Sequence, residues 1–431
     1  MVIHTVRAGD SIYSIAKEYS TTPARIIADN GITDPGKLAV GQTLVILYPT
    51  ETYTVRGGDT LEGIARSFGV TLNELWQNNP ALGGKTLIYP GQTLNIRFDT
   101  PPLGEISVNG YAYPFIDPDT LRRTLPYLTY LSVFTYGIRP DGTLVPPSGG
   151  NESELITLAR EYGTIPLMML TSLTDKGTFS SELAGEIISD ESLSRAIANA
   201  AVQTMQNRGY GGIDVDFEYI EPNLADDYVR FLEIIRAALP SGYELFVSLA
   251  PKTSDTQPGL LYEGHDYAAL GAVADKSLVM TYEWGYTYGP PMAVAPIGEV
   301  RRVLEYAVSR IPQAKVLMGI PNYGYNWTLP YVRGESRAKS LSNVAAVNLA
   351  IAKNAEIQHD ERAATPFFTY FEREGSRAVE HEVWFDDARS MDAKLRLMNE
   401  YGLAGGSVWN IMNYFPALWA VMNSLYSIRK A

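Results

Sequence analysis

The chain of 431 residues contains no cysteine, which excludes disulfides, thiolate nucleophiles and cysteine-ligated metals. Histidine is scarce. His4, His265, His359 and His381 stand far apart, in no H-E-x-x-H or similar ligand spacing. No metal and no cofactor is therefore expected, and each histidine reads as an ordinary surface or core residue. Positive charge is also short: 35 lysines and arginines against 48 aspartates and glutamates, a formal net charge of −13. A basic surface for nucleic acid is not expected. No run of about 18 apolar residues occurs, so no helical membrane span is expected. The first residues, Met1-Val2-Ile3-His4-Thr5-Val6, lack the charged start and long apolar run of a secretory signal, and none is expected. A monomer is expected.

Apolar residues make up 45% of the chain and charged residues 19%, which suits a globular protein of two or three domains. One stretch organises the rest: Gly211-Gly212-Ile213-Asp214-Val215-Asp216-Phe217-Glu218-Tyr219. On a strand, successive side chains point to opposite faces. Asp214, Asp216 and Glu218 then share one side; Ile213, Val215, Phe217 and Tyr219 share the other. Three neighbouring carboxylates repel one another. Facing a closed interior, they must separate their pKa values and hold at least one proton. An exposed edge strand is the plainer reading, but aspartate is depleted from strands. The stripe Tyr228, Phe231, Leu232, Ile235 and Leu239 downstream supplies a helix for the apolar half to pack on.

An internal repeat precedes this region. His4-Thr5-Val6-Arg7-Ala8-Gly9-Asp10-Ser11-Ile12-Tyr13-Ser14-Ile15-Ala16 is echoed by Tyr53-Thr54-Val55-Arg56-Gly57-Gly58-Asp59-Thr60-Leu61-Glu62-Gly63-Ile64-Ala65. The copies end alike, in Val40-Gly41-Gln42-Thr43-Leu44 and Pro90-Gly91-Gln92-Thr93-Leu94. Asp10 with Ser11, and Asp59 with Thr60, suit helix N-caps. Each copy reads strand, helix, helix, strand. The spacer Phe98-Asp99-Thr100-Pro101-Pro102-Leu103-Gly104 carries two prolines and reads as extended and stiff. The two repeats are expected to have separate cores and to tether the remainder to a surface by raising its effective concentration.

After the spacer, strands are expected near 106–113, 128–136, 165–170, 212–219, 243–249, 277–282, 315–320 and 407–411. Helices are expected at 153–162, 192–207, 226–239, 297–311 and 388–401. Eight strands alternating with helices predict an α/β fold, a (β/α)8 TIM barrel. It carries an α+β insertion at about 328–385, rich in Phe367, Phe368, Tyr370 and Phe371. The expected division is 2–48, 52–98 and 104–431. In such barrels reactive residues gather at the C-terminal ends of strands. Glu218, Met280, Tyr282, Glu283, Trp284, Tyr323 and Trp409 all fall there. Such a ring of carboxyls and aromatics suits a sugar.

The Gly212, Asp214, Asp216 and Glu218 pattern resembles D-G-x-D-x-D-x-E, the signature of the chitinase-like family-18 glycoside hydrolases. Gly211 stands where that family's first Asp usually stands. Leu170-Thr171-Ser172-Leu173-Thr174 replaces its usual S-x-G-G after strand three. The resemblance implies that Glu218 is the general acid, protonating the glycosidic oxygen and later acting as base towards water. It implies that Asp216 holds the substrate's acetamido N–H and shares a proton with Asp214. Tyr282 would donate to the acetamido oxygen and Trp409 would floor the sugar, with Glu283, Trp284, Tyr323 and Met280 also binding substrate. Family 18 is the known substrate-assisted exception to two-carboxylate glycoside hydrolysis: the acetamido oxygen is the nucleophile. The strand spacing of about 7 Å per two residues sets all three carboxyls on one wall. Glu283 is the obvious carboxyl on the other.

Each repeat resembles a LysM module, which binds N-acetylglucosamine-containing glycans such as peptidoglycan and chitin. The resemblance implies a groove of Gly9, Asp10, Ser11, Ile12, Asn30 and Ile32 in the first copy. In the second it implies Gly58, Asp59, Thr60, Leu61, Asn79 and Pro80. The strings Leu249-Ala250-Pro251-Lys252-Thr253-Ser254, Gly289-Pro290-Pro291-Met292-Ala293 and His381-Glu382-Val383-Trp384-Phe385 are further marks. With the tandem repeat, they resemble spore peptidoglycan hydrolases of endospore-forming bacteria. That implies an N-acetylglucosaminidase of cortex fragments, located at the spore. A chitinase, or a catalytically silent glycan-binding coat protein, is the alternative.

Overall fold

The computed structural model describes residues 1–98, 101–174, 177–375 and 377–431. Eight parallel strands close into a barrel: Gly104–Ala112, Tyr130–Ile138, Ile165–Thr171, Gly212–Asp216, Glu244–Leu249, Lys276–Val279, Val316–Pro321 and Gly405–Trp409. Each pairs with the next, and the eighth returns to the first. The strands are apolar because both faces are covered. The helices lie outside. Helix Ala225–Ala238 buries Tyr228, Phe231, Leu232 and Ile235, the stripe expected from its spacing. Helix Glu191–Arg208 starts where Asp190 accepts from the Ser192 and Leu193 amides and stops at Gly209, whose φ of 86° suits a residue without a Cβ.

Two strands are shorter than expected. Strand four stops at Asp216, so Phe217, Glu218 and Tyr219 form its exit loop, and strand six stops at Val279. Tyr219 therefore does not join the apolar half. It is 39% exposed, with a left-handed φ of 60°. Helices Pro118–Thr124, Ser181–Ser189, Tyr267–Val273 and Pro416–Leu425 add to the expected set.

The insertion after strand seven is an antiparallel sheet beginning at Gly324. Its strands order as Lys339–Leu341, Gly324–Thr328, Arg377–Trp384, Thr365–Glu374 and Gln358–Asp360, with helix Asn343–Lys353 against it. Phe368 is buried, Phe367 stacks on Trp384 at 4.7 Å, and Phe371 faces solvent.

Each repeat forms strand, helix, helix, strand. The first is Val2–Thr5, Ile12–Glu18, Pro23–Asn30 and Thr43–Ile46; the second is Pro49–Thr54, Leu61–Phe68, Leu72–Asn78 and Thr93–Phe98. Ser11 and Thr60 are the caps of the first helices. Asp10 and Asp59 instead brace the preceding turns, accepting the Arg7 and Arg56 amides at 2.7 Å each.

The repeats do not stand off on a stiff spacer. Asp99 and Thr100 lie outside the described residues, but both repeats are docked on the barrel. In the second, Gln77 donates to the Pro126 carbonyl at 2.7 Å and accepts from the Tyr127 hydroxyl at 3.1 Å. Its Leu61, Leu75 and Trp76 belong to the same apolar core as the barrel strands. The first repeat keeps its own core around Ile12, Ile15 and Ile26. It is seated nonetheless: the Ile357 amide donates to the Val40 carbonyl at 2.9 Å. A Cβ on Gly41 would lie 1.8 Å from the Ile357 carbonyl oxygen, so no larger residue fits. Apolar contact outweighed the proline signal, because burying a face of Trp76 and Leu75 is worth more than the freedom of a spacer.

Candidate active site

Asp214 is fully buried inside the barrel. The Tyr111 hydroxyl from strand one donates to its Oδ2 at 2.8 Å, and the Ser132 hydroxyl from strand two at 2.7 Å. Burial pushes its carboxyl up to about 6, against the pull of those two donors. Asp216 sits one pleat further out, 5% exposed. Burial raises it well above the usual carboxyl range, and the charges of Glu218 and Asp214 add to this. Glu218 follows at the mouth, partly open to solvent. Desolvation, and secondarily the Glu283 charge, push it up to about 7. All three carboxyls thus lose their protons at higher pH than free carboxylates do, Asp214 before Glu218.

Strand six delivers the opposite wall. The Thr281 hydroxyl donates to the Gly319 carbonyl at 2.7 Å, fixing the segment Met280 to Trp284. Burial, then the charges of Asp216 and Glu218, keep the Tyr282 phenol protonated. Glu283 takes a left-handed φ of 70° and accepts from the Tyr323 hydroxyl at 2.5 Å and the Tyr325 hydroxyl at 3.1 Å. Burial raises its carboxyl while those hydroxyls pull it down. Trp409, at the end of strand eight, meets Phe134 edge-on at 5.3 Å and Tyr111 at 5.4 Å.

Two cavities adjoin at Glu283 in the barrel mouth and together make up the cleft. One of about 670 Å³ is lined by Glu218, Tyr219, Met280, Tyr282, Glu283 and Trp284. The other, of about 410 Å³, is lined by Glu283, Asn322, Tyr323, Tyr325, Trp409 and Asn410. Glu283 belongs to both, so they form one cleft across the barrel mouth. Every catalytic and substrate-binding candidate of the barrel is brought to it, with Asp214 and Asp216 beneath. Tyr111, Ser132, Tyr325 and His265 were not singled out from sequence. A period-two reading of strands one and two would have put Tyr111 and Ser132 inside. Tyr325 belongs to the insertion, and nothing local marks it. Gly211 lies at the far end of strand four, where a Cβ would come within 2.5 Å of Ile165.

The repeats' candidate residues divide. Ile12 and Leu61 are buried, and the amides of Asn30 and Asn79 are used by the scaffold. Asn30 accepts the Val45 amide at 2.7 Å and donates to the Val45 carbonyl at 2.8 Å; Asn79 does the same with Asn95 at 2.8 Å each. Gly9, Ser11, Gly58 and Thr60 are exposed, and Ile32 and Pro80 are half-buried. Backbone and the edges of Ile32 and Pro80 are what the groove can offer. The asparagine side chains cannot serve it.

A barrel whose fourth strand carries two buried aspartates and leads into a glutamate raised to about 7, with a tyrosine after strand six on the opposite wall and a tryptophan at the end of strand eight, defines a class. The profile of the glycosyl hydrolases of family 18 matches residues 130–413, and that of the LysM domain matches 4–47 and 53–97. The chain belongs to glycosyl hydrolase family 18 and is a glycosidase with two LysM domains at its N-terminal end. More particularly, it is 40% identical over 437 residues to the cortical fragment-lytic enzyme of Bacillus subtilis (strain 168), covering 100% of this chain and 99% of that one. The Bacillus anthracis cortical fragment-lytic enzyme is 39% identical over 438 residues, 99% of each chain. The crystal structure of the Bacillus cereus spore cortex-lytic enzyme SleL superposes with a TM-score of 0.83 at 38% identity, over 100% of this chain and 98% of that one.

Proposed function

We propose that this protein cleaves β-1,4 bonds after N-acetylglucosamine in spore cortex peptidoglycan or its fragments, with retention. The supporting observation is the set of Asp214, Asp216 and Glu218 at the barrel mouth, with Tyr282 and Trp409 lining the cavities there, in a chain similar end to end to cortical fragment-lytic enzymes. Glu218, titrating near neutrality, gives its proton to the glycosidic oxygen as the C–O bond breaks. The substrate's acetamido oxygen attacks the anomeric carbon and closes an oxazolinium ring. Asp216 takes the acetamido N–H, sharing a proton with Asp214, and Tyr282 donates to the acetamido oxygen. Water then opens the ring while the Glu218 carboxylate accepts its proton. Trp409 floors the sugar; Glu283, Trp284, Tyr323 and Met280 wall it.

The working division is 2–48 and 52–98 for the glycan-binding modules and 104–431 for the catalytic barrel. The exposed groove positions Gly9, Ser11, Gly58 and Thr60, with Ile32 and Pro80, would hold peptidoglycan through backbone groups. The site of action is the boundary of spore coat and cortex, and the enzyme acts as a monomer. Mass spectrometry of products from cortex fragments, beside those from chitin oligomers, tests this reading. Products with N-acetylglucosamine at the new reducing end, formed faster from cortex fragments, are expected. Faster cleavage of chitin would reassign the substrate.

A further inference from the structure

The first LysM domain and the insertion enclose a crevice of about 480 Å³. One wall is the loop Asn30 to Asp34 with Lys37, and the other is helix Asn343–Lys353. The linings of the crevice and of the catalytic cleft adjoin along the chain at two places. On the insertion side the cleft is lined as far as Ser342, and the crevice takes up the next residues, Asn343 and Val344. On the strand-eight side the cleft is lined as far as Asn413, and the crevice takes up Phe415 and Pro416. Two chain segments thus contribute to both.

We propose that the crevice is a distal subsite for the same glycan strand that is cut at Glu218, so that the first LysM domain is a fixed extension of the cleft. The inference rests on the glycosidase reading above. Its lining has the mixed character of a sugar site. Ile32, Val347 and Ile351 offer apolar surface to ring C–H groups and the acetamido methyl. Asn343 is 1% exposed and uses its Oδ1 to accept the Asp386 amide at 2.8 Å, while its Nδ2 has no partner among the described residues. A hydroxyl or an acetamido carbonyl is the acceptor such a donor wants. The charges of the lining are largely paired: Asp34 with Lys37 at 3.0 Å and Asp386 with the buried Lys394 at 2.5 Å, while Asp387 caps helix Ala388–Glu400. That suits an uncharged stretch of glycan and disfavours a polyanion. The two chain segments shared with the cleft single out the far part of the substrate strand over an unrelated peptide.

The test compares a short N-acetylglucosamine-containing oligosaccharide, confined to the cleft, with long peptidoglycan glycan strands. Ala352 and Asn348 are exposed and line the crevice. Ala352→Trp or Asn348→Trp fills it without touching a core residue, and thermal melts check each fold. For the wild type, kcat/KM should be higher on long strands. Either variant should lose about tenfold on long strands, the factor for one lost contact of about 1.4 kcal/mol, and nothing on the short substrate. Equal rates on both lengths in the wild type, or equal loss on both in the variants, would overturn the proposal. Calorimetric binding of uncleaved long strands to Glu218→Gln, with and without Ala352→Trp, decides it independently of turnover. Tight binding that Ala352→Trp weakens supports the crevice even where the wild type cuts neither substrate, an outcome that refutes only the glycosidase reading. Binding unchanged by Ala352→Trp refutes the crevice.

Discussion

His265 holds the backbone one residue ahead of Glu218. Its Nε2 donates to the Phe217 carbonyl at 3.1 Å, and its Nδ1 accepts the Ala250 amide at 3.0 Å. These partners require the neutral imidazole protonated on Nε2. Burial enforces it, pushing the ring down to about 4. A side chain at the end of one exit loop, just before helix Tyr267–Val273, thus sets the height of the acid on another.

His265→Leu is therefore expected to lower kcat by about tenfold to a hundredfold, the scale for small misplacement of a reacting group, with little change in KM. His265→Gln, which can still donate to Phe217, should recover part of the loss. A second readout separates positioning from packing. The native pKa lies below the ordinary 6.5, so the neutral ring contributes stability above 6.5 that is lost as pH falls through about 4. The leucine variant should lack that share of the pH slope in denaturant titrations.

Glu218→Gln should keep the fold and glycan affinity and lower turnover by about 10²- to 10⁴-fold, because an amide of the same size transfers no proton. In the wild type, kcat/KM should fall as pH rises above about 7, where Glu218 loses its proton. Glu283→Gln removes a charge that raises Glu218, so the alkaline limb should move to lower pH. A limb that stays in place would count against the pairing of these two carboxyls.

Asp214→Asn should stabilise the protein at neutral pH while impairing activity. A carboxyl that titrates at about 6 instead of 3.8 contributes stability below 3.8 that is lost as pH rises through 6. The cost when ionised is about 3 kcal/mol. The amide oxygen can still accept from Tyr111 and Ser132. Melting curves should show a clear gain at pH 7 and little at pH 4. No difference between the two would mean that Asp214 is not ionised in the native state.

The nucleophile should come from the substrate. De-N-acetylated strands should resist cleavage, and a thiazoline mimic of the cyclised sugar should inhibit. Glu283 is occupied by the Tyr323 and Tyr325 hydroxyls, which suits binding over attack. A covalent sugar trapped on Glu283 would refute the substrate-assisted route and leave the fold untouched.

Removing residues 1–98 should not yield a barrel of normal stability. The cut strips Gln77 from Pro126 and Tyr127, and separates the Asn73 amide from the Tyr162 carbonyl at 3.1 Å. A lower melting temperature or aggregation of 104–431 is expected by differential scanning calorimetry. An unchanged melting temperature would mean that the docked contacts carry no weight.

Much of this was legible in the chain because the signals were periodic or motif-bound. The alternation around Asp214 and the stripe from Tyr228 to Ile235 set strand four and its helix. The end of that strand was not legible: Phe217 continues the alternation, but its carbonyl is taken by His265 in place of a neighbouring strand. Helices Pro118–Thr124 and Tyr267–Val273 are seven residues each, too short to display a period. The partners of Asp214 come from strands about 80 and 100 residues away, a relation set by barrel closure alone. The docking of the repeats was hidden for a like reason, since Trp76 and Leu75 read as a module's own core until Pro126 and Tyr127 are seen beside them.

Val40 and Gly41 pack directly on Ile357, so the first LysM domain is seated at one set position relative to Glu218. A loosely leashed hydrolase can graze a circle of wall around a single anchorage. This one has no leash. If its modules grip the wall as proposed, the bond within reach is set in advance, and to cut the next it must let go or slide. On that proposal, turnover on an intact wall would depend on how quickly the grip is released, and tighter modules would make a slower enzyme.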